Sequence, residues 1–150
     1  MTEVLFYHLQ HQPLERVLPA LLEKSLQRGW RVVVQAASEE RIEALDAHLW
    51  TFRDDSFLPH GTWREADARE QPILLMLDEG NPNGATVRFL IDGAPVPPDA
   101  ASYDRIVMLF DGADPDAVTA ARDRWGEAKR SGFEVTYWQA DEQGSWQRKV

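Results

Sequence analysis

The segment Arg31 to Gln35, with Val32, Val33 and Val34 at its centre, constrains this chain more than any other feature. Three consecutive β-branched residues read as a strand buried on both faces, the pattern of a parallel sheet. Helical patterns lie on either side of it. Leu14, Val17, Leu18, Leu21, Leu22 and Ser25 recur at helical spacing after Pro13, which suits a first helical turn, and Gly29 closes that helix. Ser38 is placed to cap a second helix whose apolar positions are Ile42, Leu45 and Leu49. Val4 to Tyr7 supplies a short apolar strand ahead of the first helix. Strand, helix, strand, helix in that order requires crossover connections. The chain is therefore predicted to be α/β, one three-layer domain over residues 1–150 with a mostly parallel central sheet.

Downstream, Trp50 to Arg69 is irregular and aromatic, with Trp50, Phe52, Phe57 and Trp63 around Pro59 and Gly61. Pro72 to Leu77 reads as a strand, and so does Thr86 to Asp92. The turn signal Asn81-Pro82-Asn83-Gly84 between them predicts a hairpin. Pro95, Pro97 and Pro98 mark a loop, and Arg105 to Phe110 reads as another strand. Asp114 and Pro115 open a long helix that Gly132 ends, and Glu134 to Trp138 follows as a last strand. The polar tail, residues 141–150, is expected to fray. No segment approaches the roughly 20 apolar residues of a membrane span, and Met1 to Leu9 lacks the pattern of a signal peptide. The chain has no cysteine, which removes disulfides and thiolate metal sites and fits a cytoplasmic setting.

The formal charge of −9 opposes long-range attraction to DNA, so any link to DNA is expected to run through another protein, although a small basic patch is compatible with it. Direct binding of single-stranded DNA through the aromatics is accordingly the least favoured reading. An α/β order invites a nucleotide-binding or enzymatic reading, which stands as the alternative. The turn after the first strand, Leu9-Gln10-His11-Gln12-Pro13, lacks the glycines that let a backbone approach a pyrophosphate, and no Walker-type Gly-Lys-Ser or Gly-Lys-Thr occurs. His8 and His11 lie near the first strand's end but have no acidic partner at matching spacing, so polar loop histidines outweigh a metal or general-base role. Asp78 and Glu79 read as solvated charges beside a turn, and no serine sits in a nucleophile elbow. No catalytic residue, metal or cofactor is expected.

Three stretches resemble the chi subunit family of bacterial DNA polymerase III. The first is Val4-Leu5-Phe6-Tyr7 with the helix to Gly29 and the valine-rich strand. The second is Leu45-Asp46-Ala47-His48-Leu49-Trp50 continuing into Ser56-Phe57-Leu58-Pro59-His60. The third is Ala121-Arg122-Asp123-Arg124-Trp125, running through Lys129 to Gly132-Phe133. The resemblance implies a Rossmann-like fold without a nucleotide site. It also implies a non-catalytic adaptor of the clamp-loader complex in the bacterial replisome, with no intrinsic enzyme activity. Two partners are implied: the acidic, apolar C-terminal tail of single-stranded-DNA-binding protein, and the psi subunit or another replisome or repair protein.

The residues matching the tail site are Arg122, Trp125 and Lys129. At i, i+3 and i+7 they share one helix face. A guanidinium can hold a carboxylate bidentately, an ammonium adds charge, and an indole offers an apolar wall with an N–H donor. From Ala121 to Gly132 four basic residues face two acidic ones, a local surplus that would focus an acidic peptide there. Val118, Ala121, Trp125 and Ala128 also form a stripe, so Trp125 reads either as core or as an edge residue; the resemblance favours the edge. One departure is Gly126, where many family members carry a basic residue. The residues matching the psi-facing surface are Trp50, Phe57 and Pro59, and large aromatics in an irregular stretch suit an interface. The competing reading is a loop that buries those rings over the sheet edge.

Overall fold

The structure is a computed structural model that describes residues 2–10, 12–52 and 58–150. Seven strands run parallel: β1 (Glu3–Leu9), β2 (Val32–Gln35), β3 (Gly61–Thr62), β4 (Ile73–Met76), β5 (Val87–Leu90), β6 (Arg105–Asp111) and β7 (Glu134–Ala140). An antiparallel β8 (Trp146–Arg148) completes one sheet in the order β3-β4-β2-β5-β6-β1-β7-β8. The helices are α1 (Leu14–Gln27), α2 (Glu39–Thr51) and α3 (Pro115–Arg130).

The element boundaries follow local chemistry. Ser38 accepts the Arg41 backbone N–H, and Asp114 accepts that of Asp116, so α2 and α3 both begin on a side-chain cap. Gly29 leaves α1 at φ +77°, a conformation that favours glycine. Alternation along the strands splits the core. Val17, Leu18 and Leu22 of α1 and Ile42, Leu45 and Leu49 of α2 pack on Val32, Val34, Leu75, Phe89 and Val107. On the other face Ala121 and Ala128 of α3 pack with Val4, Phe6, Ile106, Met108 and Val135. Helices on both faces of a mostly parallel sheet make the three-layer α/β architecture.

Two expectations fail. The predicted hairpin does not form: β4 and β5 lie on opposite sides of β2, each parallel to it. The ten residues 77–86 cross the sheet face without a helix, and their polar backbone must be satisfied there. Arg88, fully buried on β5, does much of this. Its guanidinium donates to the carbonyls of Asp78 and Gly80 (2.9 Å for Gly80), to Gln35 Oε1 (2.7 and 3.0 Å) and to the Tyr103 hydroxyl (2.9 Å). Asn83 of the turn donates to the Val32 and Gln71 carbonyls at the start of β2 and β4. The turn residues hold a crossover rather than a hairpin. The tail, expected to fray, instead folds back as β8, with Trp146 packed edge-on to Tyr7 at 4.8 Å.

Candidate functional site

The α3 face is built on β1 and β7. Phe6 of β1 pairs in register with Tyr137 of β7, and both present their rings to the helix above. Trp125 meets Phe6 at 5.4 Å and Tyr137 at 6.0 Å, both edge-on. It is half-buried, so neither reading of it holds alone: one edge belongs to the core and the rest remains at the surface. Lys129 sets its Nζ 5.4 Å from the Trp125 ring centroid, within cation–π range. Arg122 is exposed and acts electrostatically on the Tyr137 phenol. Burial pushes that phenol's pKa up, and the neighbouring guanidinium opposes the rise. Arg122, Trp125 and Lys129 therefore converge on one aromatic wall with cations at both ends.

Sequence reasoning did not include Tyr137, which forms the strand side of this wall. It occupies the core-facing position of a strand that was recognised, and only the register with Phe6 brings it to Trp125. Beyond it, His8 bonds through Nδ1 to the Tyr137 hydroxyl and packs at a tilt against Phe110, 5.0 Å between centroids. Burial lowers its pKa, and Asp111 partly opposes this. A methyl at Gly112 would fall 1.9 Å from His8 Nε2, so this glycine is required for the ring's position. His8 is a packing residue under the α3 face. His11 lies outside the described residues. Among the described residues no group of three or more His, Asp or Glu could hold a metal ion.

The second candidate surface is the end of α2. Trp50, expected in an irregular stretch, lies in the last turn of the helix and is 48% exposed. Its ring rests on His60 at 4.2 Å. His60 is buried: Nδ1 donates to the Leu58 carbonyl at 2.7 Å, and Nε2 lies 2.9 Å from Asp46 Oδ1. Leu58 enters the core, and β3 extends the sheet edge just beyond. Pro59 is half-buried between them, and Phe57 lies outside the described residues. The Leu-Asp-x-x-Leu-Trp and Pro-His pieces, separate in sequence, thus meet through Asp46, Trp50 and His60. Of the rings in the burying-loop reading, Phe52 and Trp63 are half-buried against the core and Trp50 is 48% exposed.

The alternative nucleotide reading depends on the crevice at the carboxyl ends of β1 and β6, the place where open α/β sheets bind ligands. A cleft of about 790 Å³ does lie there. Its charged lining is Glu15, Asp92, Asp111, Asp114 and Asp116 against Arg41 and Arg124. Arg41 is already engaged by Glu15 and Asp92, each at 3.2 Å. A phosphate would enter a site with a surplus of carboxylates and no glycine cradle after β1. Asp78 and Glu79 sit on the helix-free crossover, where Asp78 accepts the Gly80 N–H and serves the turn. Among the described residues no helix is long and apolar enough to cross a membrane.

The family model described as DNA polymerase III chi subunit, HolC, matches residues 1–136. A DNA polymerase III subunit chi from Pseudomonas aeruginosa is 30% identical over 138 residues, covering 89% of this chain and 93% of that protein. A probable DNA polymerase III subunit chi from Rickettsia prowazekii is 28% identical over 91 residues, covering 61% of this chain and 55% of that protein. That match thus spans about half of the Rickettsia relative's length. The last strand turn, β7 beyond Thr136 and all of β8 fall outside the family match.

Proposed function

Because the chain belongs to the DNA polymerase III chi subunit family, an accessory component in DNA replication, we propose that it is a non-catalytic adaptor that captures the acidic C-terminal tail of single-stranded-DNA-binding protein on its α3 face. The observation that carries this reading is the grouping of Arg122, Trp125, Lys129 and Tyr137 on one exposed wall of a molecule whose net charge is −9. Cations flanking an apolar ring suit a chain end that is both anionic and apolar. Arg122 holds the terminal carboxylate, Lys129 adds charge, and the Trp125 and Tyr137 rings receive the apolar side chain. Gly126 withholds the basic side chain common at that position, so Arg130 and Arg124 are the nearest substitutes on the helix.

The second interface belongs to Trp50, Phe57 and Pro59. An indole 48% exposed at a helix end, supported from below by buried His60, has the character of a hot-spot anchor. Its partner is a psi-like subunit or another replisome or repair protein. With both faces occupied, the molecule links the clamp loader to single-stranded-DNA-binding protein in the bacterial cytoplasm without chemistry of its own. Calorimetry with a peptide carrying the acidic, apolar tail tests the first interface. Arg122→Ala should weaken binding by about 1.5–3 kcal/mol, the range for charged hydrogen bonds. Affinity should also fall as salt rises. An unchanged affinity in that variant removes the assignment. For the second face, pull-downs with wild type and Phe57→Ala should differ in their partner sets.

A further inference from the structure

On the opposite side of β1 and β7 from the tail wall, between α1 and β8, a groove of about 420 Å³ opens on the sheet. Four half-buried rings line it, Tyr7, Trp30, Trp138 and Trp146, with buried Phe89 at its floor. Tyr7 lies parallel to Trp138, 6.2 Å away at 11°, and Trp146 abuts Tyr7 edge-on. Four cations share the lining: Lys24, Arg28, Arg105 and Arg148, against the carboxylates of Glu3 and Glu134. The Arg28 and Arg105 guanidiniums each lie 5.0 Å from the Trp30 ring centroid. Both also act on the Tyr7 phenol, whose pKa burial raises and the two arginines lower. Glu3 occupies Arg105 at 2.9 Å and Arg148 Nε donates to the Val150 carbonyl at 3.0 Å, so Lys24, Arg28 and the remaining N–H groups of Arg148 are the groove's main cations toward a ligand.

We propose that this groove binds single-stranded nucleic acid, with bases on the Trp138, Trp146 and Trp30 rings and phosphates on Lys24, Arg28 and Arg148. Flat rings alternating with cations match the repeating base and phosphate of a single strand, and stacking of this kind tolerates any base. A groove of this size holds only about three nucleotides, so the contact is a weak, local one. The net charge of −9 does not forbid it. At about 0.1 M salt the Debye length is about 10 Å, so distant carboxylates are screened while the groove's own cations still act. The site goes beyond the adaptor reading and is independent of it. Trp138, Trp146 and Arg148 lie past the end of the family match at residue 136, so the groove is completed by residues outside it.

The test uses the full chain and a fluorescein-labelled 20-nucleotide oligo-dT at about 0.1 M salt, read by anisotropy and by quenching of tryptophan emission. Binding should fall with a log–log salt slope of roughly −2, as expected for three phosphate contacts to a single strand. Lys24→Glu with Arg28→Glu should weaken it at least tenfold. The acidic tail peptide should bind this double variant as it binds wild type, which reports an intact fold and keeps the two sites distinguishable. No anisotropy change at 0.1 M salt overturns the proposal, as does unchanged affinity in the double variant. Displacement of the oligonucleotide by stoichiometric tail peptide also overturns it, because the groove is then a peptide site.

Discussion

Two tryptophans, each on a helix and each within a stretch that resembles the family, end in different situations. Trp125 on α3 is held edge-on by Phe6 and Tyr137 and covered in part by Lys129. Trp50 at the end of α2 lies tilted at 38° against buried His60 and leaves 48% of its surface to solvent. The difference comes from what lies under each helix. α3 sits over β6, β1 and β7, where β1 and β7 present rings, so an indole there is shared between core and surface. α2 ends at the β3 edge of the sheet, and the indole there is 48% exposed. One tryptophan is thus shared between core and surface, and the other keeps half its surface exposed at a helix end.

That contrast can be broken most directly by truncation. Trp125→Ala should destabilise the fold by about 2–3 kcal/mol, below the range for a fully buried indole because the ring is only half-buried. Trp50→Ala should cost less than about 1 kcal/mol while weakening capture of the proposed second partner. Chemical denaturation measures both, and equal losses would erase the distinction. His60→Ala tests whether the α2 corner is built from beneath. It removes the ring under Trp50 together with the contacts to Leu58 and Asp46, and should cost about 1–3 kcal/mol. If stability is unchanged while partner binding is lost, His60 belongs to the interface rather than to its support.

Gly126→Ala sharpens the comparison in the other direction. The added methyl meets only the flexible end of Arg130, at 3.2 Å, and helix propensity should raise stability by about 1 kcal/mol. A thermal melt that moves downward would show that this position is sterically closed. The smallest effect concerns pH. The His8 pKa is depressed by burial, so the unfolded state binds the proton more readily. Its contribution is fully present above the ordinary value of 6.5 and is lost as pH falls through the lowered folded value. His8→Asn should therefore flatten part of the decline in melting temperature below pH 6.5. Parallel profiles for wild type and variant would place that decline on other groups.

Much of the α3 wall was legible because helix spacing is local: Arg122, Trp125 and Lys129 share a face wherever the helix goes. Tyr137 was not, since its place beside Trp125 depends on pairing between strands more than 120 residues apart in sequence. Arg88 escaped for a related reason. An arginine within a strand reads as a surface residue, and only the helix-free crossover above it explains why a buried guanidinium has partners there. Trp146 likewise looked like part of a loose tail until β8 closed on β7.

What the sequence determined by itself was the three helices, the main strands, the α2 and α3 caps and the α/β class, because capping, glycine conformation and apolar period act over a few residues. The tertiary structure decided the rest: that β4 and β5 flank β2, that the tail returns to the sheet, and that rings and cations gather on two opposite faces. Those outcomes depend on which strands pair across long separations. A turn signal such as Asn81 to Gly84 fixes the local backbone path but not which strand the chain meets next.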